Sequence, residues 1–135
     1  MNEVTRATAP RRHEPAPSST GLRPPLAGVL AYLAGPFSGA LLVAIEETSR
    51  FVKFHAWQSL VGLGVLGVAA LICLGLAFLM LLISPAIFWG MLWLAAIGAA
   101  AWVVLWATCM VQAYRGRVWK LPFAGPYAER RAGLN

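Results

Sequence analysis

Arg50-Phe51-Val52-Lys53-Phe54-His55-Ala56-Trp57-Gln58-Ser59 is the last charged ground before a long apolar run. From Phe54 to Tyr114 there is no Asp, Glu, Lys or Arg. At about 1.5 Å per helical residue, that run is roughly three times the thickness of a bilayer core, so it folds back at least once. The reading is an all-α integral membrane protein with three apolar helical segments, residues 26–45, 59–83 and 86–112. The first is broken at Gly35-Pro36. The second and third form an antiparallel transmembrane hairpin turning near Ser84-Pro85.

As a helix, the opening stretch is amphipathic. Phe51, Phe54, His55 and Gln58 recur at three- and four-residue steps and share a face, while Arg50, Lys53 and Trp57 form a second stripe. Thr48 or Ser49 can cap its start by accepting a free backbone N–H. The basic stems and the indole suit the interface, which makes this an anchor in contact with anionic lipid. His55 and Gln58 read as structural polar contacts to the first loop or to a partner. Such contacts in membranes are worth about 0.6 kcal/mol on average. Glu46 lies four residues before Arg50, and Glu47 can reach Arg50 or Lys53, so both carboxylates are expected in surface ion pairs.

The same stretch carries a resemblance. Glu46 and Arg50-Phe51-Val52-Lys53-Phe54-His55-Ala56-x-Gln58-Ser59 resemble the signature of a family of small, uncharacterised bacterial membrane proteins. That family is distantly similar to the twenty-kilodalton Tic subunit of chloroplast protein import. Leu30-Ala31-Tyr32-Leu33-Ala34-Gly35-Pro36 upstream fits the pattern, as do Ala113-Tyr114-Arg115-Gly116 and Lys120-Leu121-Pro122-Phe123 downstream. Trp57 stands where that family often has Met. The resemblance spans residues 26–130 and implies a kin group without a reaction. It marks Glu46, Arg50, Phe51, Lys53, Phe54, His55 and Gln58 as an interfacial or partner-binding motif.

Composition agrees with the membrane reading. Of 135 residues, 59% are apolar and 12% charged, outside the usual soluble range. The net charge of +6 sits in residues flanking the apolar runs, so lipid and membrane orientation account for it better than nucleic acid does. Residues 1–25 are rich in Pro, Ser, Thr and Arg and read as a disordered basic tail without the apolar core of a signal peptide. Residues 116–135 read as a basic-aromatic tail along the membrane face, with a short helix starting at Pro126. Gly116 is expected to stop the third segment in the left-handed conformation.

Gly64 and Gly67 form a small row expected to pack closely against Ala95–Ala101, with Ala95 and Ala99, or Ala96 and Ala100, on the facing side. Trp89, Trp93, Trp102 and Trp106 bracket that small centre and read as lipid contacts. Cys73 and Cys109 are offset by roughly 18 Å on an antiparallel hairpin, too far for a disulfide, and read as buried thiols.

Three full crossings would put the first loop and C-tail on one side, with seven basic residues against four. A first segment that dips in and returns would put all eleven on one side. The charge rule favours the second and segment length the first. Either way the C-terminus is placed in the cytoplasm and the protein, multi-pass, in the cell membrane. No acid or base lies within the apolar run, and no nucleophile–base pair, phosphate loop or metal cluster is visible. The chain reads as a non-enzyme without a cofactor: a structural or interaction protein that packs against membrane partners or itself. The alternative is a component of a protein translocation or membrane insertion device.

Overall fold

The computed structural model describes residues 17–134, in which every regular element is helical. They are α1 (Pro24–Leu33), α2 (Pro36–Ile45), α3 (Arg50–Gln58), a π-helical turn (Ser59–Leu63), α4 (Gly64–Met80), α5 (Pro85–Tyr114) and α6 (Ala124–Ala132). The helix through α3, the π turn and α4 is continuous over Arg50–Met80, and with α5 gives two helices long and apolar enough to cross a membrane. The second segment therefore begins at Arg50 rather than at residue 59. Ser49 caps it, its Oγ accepting the Val52 N–H at 3.4 Å.

The first apolar stretch is two helices of ten residues each. Each is about 15 Å long, half a bilayer core. Gly35 makes the break with φ of 60°, a region that penalises any Cβ, and Pro36 starts the next helix where its missing N–H costs nothing. Residues 17–20 contact residues 46–49, and Gly116 at the end of α5 abuts Pro25. The start of α1, the end of α2, the start of α3 and the end of α5 thus lie at one end of the molecule.

α4 and α5 run antiparallel. Phe78 meets Phe88, Ala70 meets Gly98, and Trp102 bonds the Leu63 carbonyl, so positions fall along one helix as they rise along the other. This register corrects the expected glycine seam. Gly64 faces Pro36 of α2, Gly67 faces the Trp102 indole, and Ala70 is the residue that meets the small middle of α5. Ala95 is buried and Ala99 is exposed. A close approach of two backbones lies elsewhere, at Gly39. A Cβ on Gly39 would sit 2.9 Å from the Ala56 carbonyl oxygen and 3.0 Å from the Leu60 nitrogen, which is why α2 lies so near the π turn.

α5 ends in a Schellman turn. Gly116 has φ of 68°, its N–H donates to Ala113 and the Arg117 N–H donates to Gln112. The chain then runs through residues 117–121 without helix or strand and enters α6, which packs on α3 through Phe54, Trp57, Ala128 and Ala132. α6 starts at Ala124, two residues before Pro126: the Leu121 carbonyl takes the Gly125 N–H and closes the first turn early.

Candidate functional site

A connected set of polar side chains lies inside the end of the molecule that holds the helix termini. Tyr32 from α1, His55 and Gln58 from α3, and Cys109 from α5 are each at most 1% exposed. Tyr32 Oη lies 3.0 Å from His55 Nδ1, and Gln58 Nε2 donates to the same hydroxyl at 3.3 Å. The tyrosine oxygen thus joins the imidazole to the Gln58 amide. His55 Nε2 faces the backbone of Arg117 without completing a hydrogen bond. The rings of Tyr32, Phe51 and Phe54 surround the imidazole edge to face, with centroids at 5.6, 4.5 and 5.2 Å.

Gln58 is the hub. Beyond Tyr32, its Nε2 donates to the Trp119 carbonyl at 3.0 Å and approaches Cys109 Sγ at 3.8 Å, while its Oε1 accepts the Leu121 N–H at 3.3 Å. The amide thereby closes the hydrogen bonding of an extended strip that belongs to no helix or sheet. His55 and Gln58 do not reach the first loop. They join α3 to α1, α5 and the chain after α5.

Two irregular stretches of backbone meet one turn deeper. The break at Gly35 frees carbonyls at the end of α1, and the π turn loosens those of Ser59–Leu63. Ser59 Oγ donates to the Gly35 carbonyl at 2.8 Å, Trp106 Nε1 to the Tyr32 carbonyl at 2.6 Å, and Trp102 Nε1 to the Leu63 carbonyl at 2.9 Å. Trp102 and Trp106 stack with their planes 7° apart. Read from sequence as lipid contacts, these two indoles instead satisfy backbone groups that would be costly to leave open in an apolar medium. Ser38 serves the same break, accepting the Ala34 N–H and donating to the Ala31 carbonyl. An apolar groove of about 1160 Å³ lies between the break, α4 and α5.

Glu46 forms a separate clasp. Its carboxylate accepts the Ser18 hydroxyl, the Ser19 N–H and hydroxyl, the Thr48 N–H and hydroxyl, and the Ser49 N–H. Burial pushes this carboxyl up, but the bonds from Ser18, Ser49 and Ser19 outweigh it and hold the group at about 2. The expected pairs with Arg50 and Lys53 do not form, because six closer donors fill the carboxylate. Lys53 Nζ donates to the Glu47 carbonyl at 3.0 Å, Arg50 is exposed, and the one ion pair among the described residues joins Lys120 to Glu129. Through this clasp residues 17–20 take a fixed path, and Pro24 and Pro25 open α1, whereas the sequence reads residues 1–25 as disordered; residues 1–16 lie outside the described residues.

Cys73 and Cys109 are free thiols, the first half-buried and the second buried. Among the described residues no group of three metal-ligating side chains comes together. Sequence reasoning passed over Tyr32, Trp106 and Ser59 as working residues. Their signal was position: each lies close to the Gly-Pro break or to Gln58, where backbone groups need partners.

Two apolar helices of spanning length, short helices broken at Gly35, and a polar cluster folded inward define a small all-helical membrane protein. The chain belongs to the magnetosome magnetite crystal formation protein family (MamF/MmsF), whose model matches residues 21–128. It is similar to the UPF0132 membrane protein MJ1443 of Methanocaldococcus jannaschii, 39% identical over 113 residues that cover 84% of this chain and 92% of that protein. It is also similar to a UPF0132 membrane protein of Archaeoglobus fulgidus, 38% identical over 111 residues that cover 80% and 94%. No solved structure matches it. The expectation of a small membrane-protein family holds at that level. These two relatives are archaeal rather than bacterial, and neither is a Tic subunit.

Proposed function

We propose that the protein is a helical packing partner in a larger membrane assembly, acting through its lipid-facing surface and not through an enzyme site. The observation that carries this reading is where its small residues lie. Ala96 and Ala100 are exposed on one stripe of α5 with Trp89 and Trp93, and Gly75 and Gly90 have nothing near the position a Cβ would take. Exposed small residues four apart let another membrane helix approach closely. Tyr32, His55, Gln58 and Cys109 are turned inward, linked through the Tyr32 hydroxyl and the Gln58 amide. They fix the fold and leave the outer faces of α4 and α5 apolar.

In this reading α4 and α5 are a transmembrane hairpin. α1 and α2 dip to mid-membrane and return, which puts every described Lys and Arg at one end, in the cytoplasm by the charge rule. The membrane is the cell membrane, and the partners are other membrane proteins or a second copy. The family's name refers to magnetite. A mineral-templating face calls for grouped carboxylates, and the described ones here are Glu46, which is saturated, Glu129, which is paired, and Glu47. The contribution we assign is therefore to the membrane assembly. The translocation alternative rests on the Tic resemblance; α4 and α5 offer it no polar lining.

The test is Ala96→Leu with Ala100→Leu. Both positions are exposed, so the melting temperature of the lone chain in mild detergent should hold, while recovery of co-purifying membrane proteins or of the self-associated form falls several-fold. Unchanged recovery would remove this face from the proposal.

A further inference from the structure

The described cations differ in what holds them. Lys120 pairs with Glu129 at 2.7 Å, and Lys53 donates to the Glu47 carbonyl. Arg130 Nε donates to the Pro126 carbonyl at 3.3 Å, and the Arg131 guanidinium lies over the Trp57 and Tyr127 rings at 5.4 Å. Arg23, Arg50, Arg115 and Arg117 are exposed and make no side-chain bond or ion pair with any described residue.

Three of these four converge. Arg23 caps the start of α1, and Arg115 and Arg117 flank Gly116 at the end of α5. Gly116 lies beside the Pro25 ring, a Cβ there falling 4.0 Å from its Cγ, so the start of α1 and the end of α5 are neighbours. The positive end of the α1 dipole points into this junction, and with Pro24 and Pro25 in the first two positions its first free N–H is Leu26. Beneath, on the Arg117 side, lies the unpartnered Nε2 of His55, 1% exposed. Large apolar side chains interleave with the arginines at the surface: Leu22 and Leu26 beside Arg23, Tyr114 and Val118 beside Arg115 and Arg117.

We propose that Arg23, Arg115 and Arg117 form a binding site for the phosphate of an anionic phospholipid in the adjoining leaflet. Guanidinium groups present paired N–H donors that match phosphate oxygens, and their stems run along apolar surface. The flanking Leu22, Leu26, Tyr114 and Val118 point to a lipid rather than a free anion, because they offer acyl chains a surface that inorganic phosphate has no use for. The site fixes the depth at which α1 and α5 end, and it is independent of the helix-packing face on α5.

The experiment is native mass spectrometry of the full chain in mild detergent, titrated with phosphatidylglycerol, with phosphatidylcholine, and with inorganic phosphate as competitor. Phosphatidylglycerol should be retained more tightly than phosphatidylcholine. Each of Arg23→Gln, Arg115→Gln and Arg117→Gln should weaken its retention about fivefold, and the triple variant about 100-fold. Arg130→Gln on α6 should change it less than twofold. Equal retention of the two lipids overturns the proposal. So does displacement by inorganic phosphate at the lipid's own concentration, which would make this a free-phosphate site. An Arg130→Gln effect as large as that of Arg23→Gln would show diffuse surface charge and no site. If the triple variant loses helical content, the single variants carry the test.

Discussion

Replacing Gln58 by Leu keeps the size of the side chain and removes every hydrogen bond the amide makes. Four partners lose a contact: the Tyr32 hydroxyl, Cys109 Sγ, the Trp119 carbonyl and the Leu121 N–H. The first two have other neighbours. The last two sit in an extended strip without a ladder, so they are left unpaired, at about 1–3 kcal/mol for each buried group. Added apolar burial offsets part of this, for a net loss of about 2–4 kcal/mol. That is several times the average polar contact between membrane helices, about 0.6 kcal/mol, because here the lost partners are backbone groups. The assay is thermal unfolding in mild detergent followed by circular dichroism, with trypsin cleavage after Arg117 and Lys120 read in parallel. Gln58→Leu should melt lower and be cut faster at both sites. If it melts with the parent and cleavage after Lys120 keeps its rate, Gln58 does not hold the C-terminal strip.

Two further predictions rest on other parts of the fold. The Glu46 carboxyl is held at about 2 in the folded chain against an ordinary 4.5, so the unfolded chain binds the extra proton between those values. Its contribution, at most about 3 kcal/mol, is therefore full above about pH 5 and is lost as pH falls through 2; Glu46→Gln should be less stable at pH 7, with the gap closing on acidification, and a gap independent of pH would refute the clasp. Gly39→Ala forces a methyl against the backbone of Ala56 and Leu60 and should cost about 1–3 kcal/mol, whereas Gly75→Ala, with open space around it, should be neutral or slightly stabilising; equal melting temperatures for the two would place α2 elsewhere.

The two spanning helices were legible because charge is absent over a long stretch, and no soluble fold tolerates that. The break at Gly35-Pro36 was legible because proline and a left-handed glycine leave the backbone few choices. The path of α1 and α2 was not. Twenty apolar residues match one full crossing as well as they match two half-crossings, and length alone does not separate them. In the structure the Glu46 clasp joins residues 17–20 to residues 46–49, so α1 and α2 run out and back to the same end of the molecule. Its donors are small hydroxyls and backbone N–H groups, which carry no charge pattern, so the carboxylate was matched in sequence to the nearest cations instead. The glycine seam failed for a related reason. Gly64 and Gly67 were assigned to the largest facing helix, but a π turn before Gly64 rotates α4 and hands Gly64 to α2 and Gly67 to Trp102. A single-residue change in helical phase of this kind has no signature in composition or spacing.

The polar cluster was half legible. His55 and Gln58 stood out as the last polar residues before the apolar run, on a common helix face. Their partners did not, because all four, Tyr32, Cys109, the Trp119 carbonyl and the Leu121 N–H, lie more than twenty residues away, and two of them are main-chain groups. The physical demand that links them is simple: in an apolar surrounding, backbone without regular hydrogen bonds must be satisfied by side chains. Among the described residues such stretches include the Gly35 break, the π turn and the strip from Arg117 to Leu121. Each is met by the polar side chains that reach it, Ser38, Ser59 and Trp106 at the first, Trp102 at the second, and Gln58 at the third. These inward-facing side chains are thereby engaged with irregular backbone. What remains free to meet the outside is the apolar face of α4 and α5 and the unpaired arginines where α1 begins and α5 ends, and a function carried by this fold has to be exerted through those surfaces.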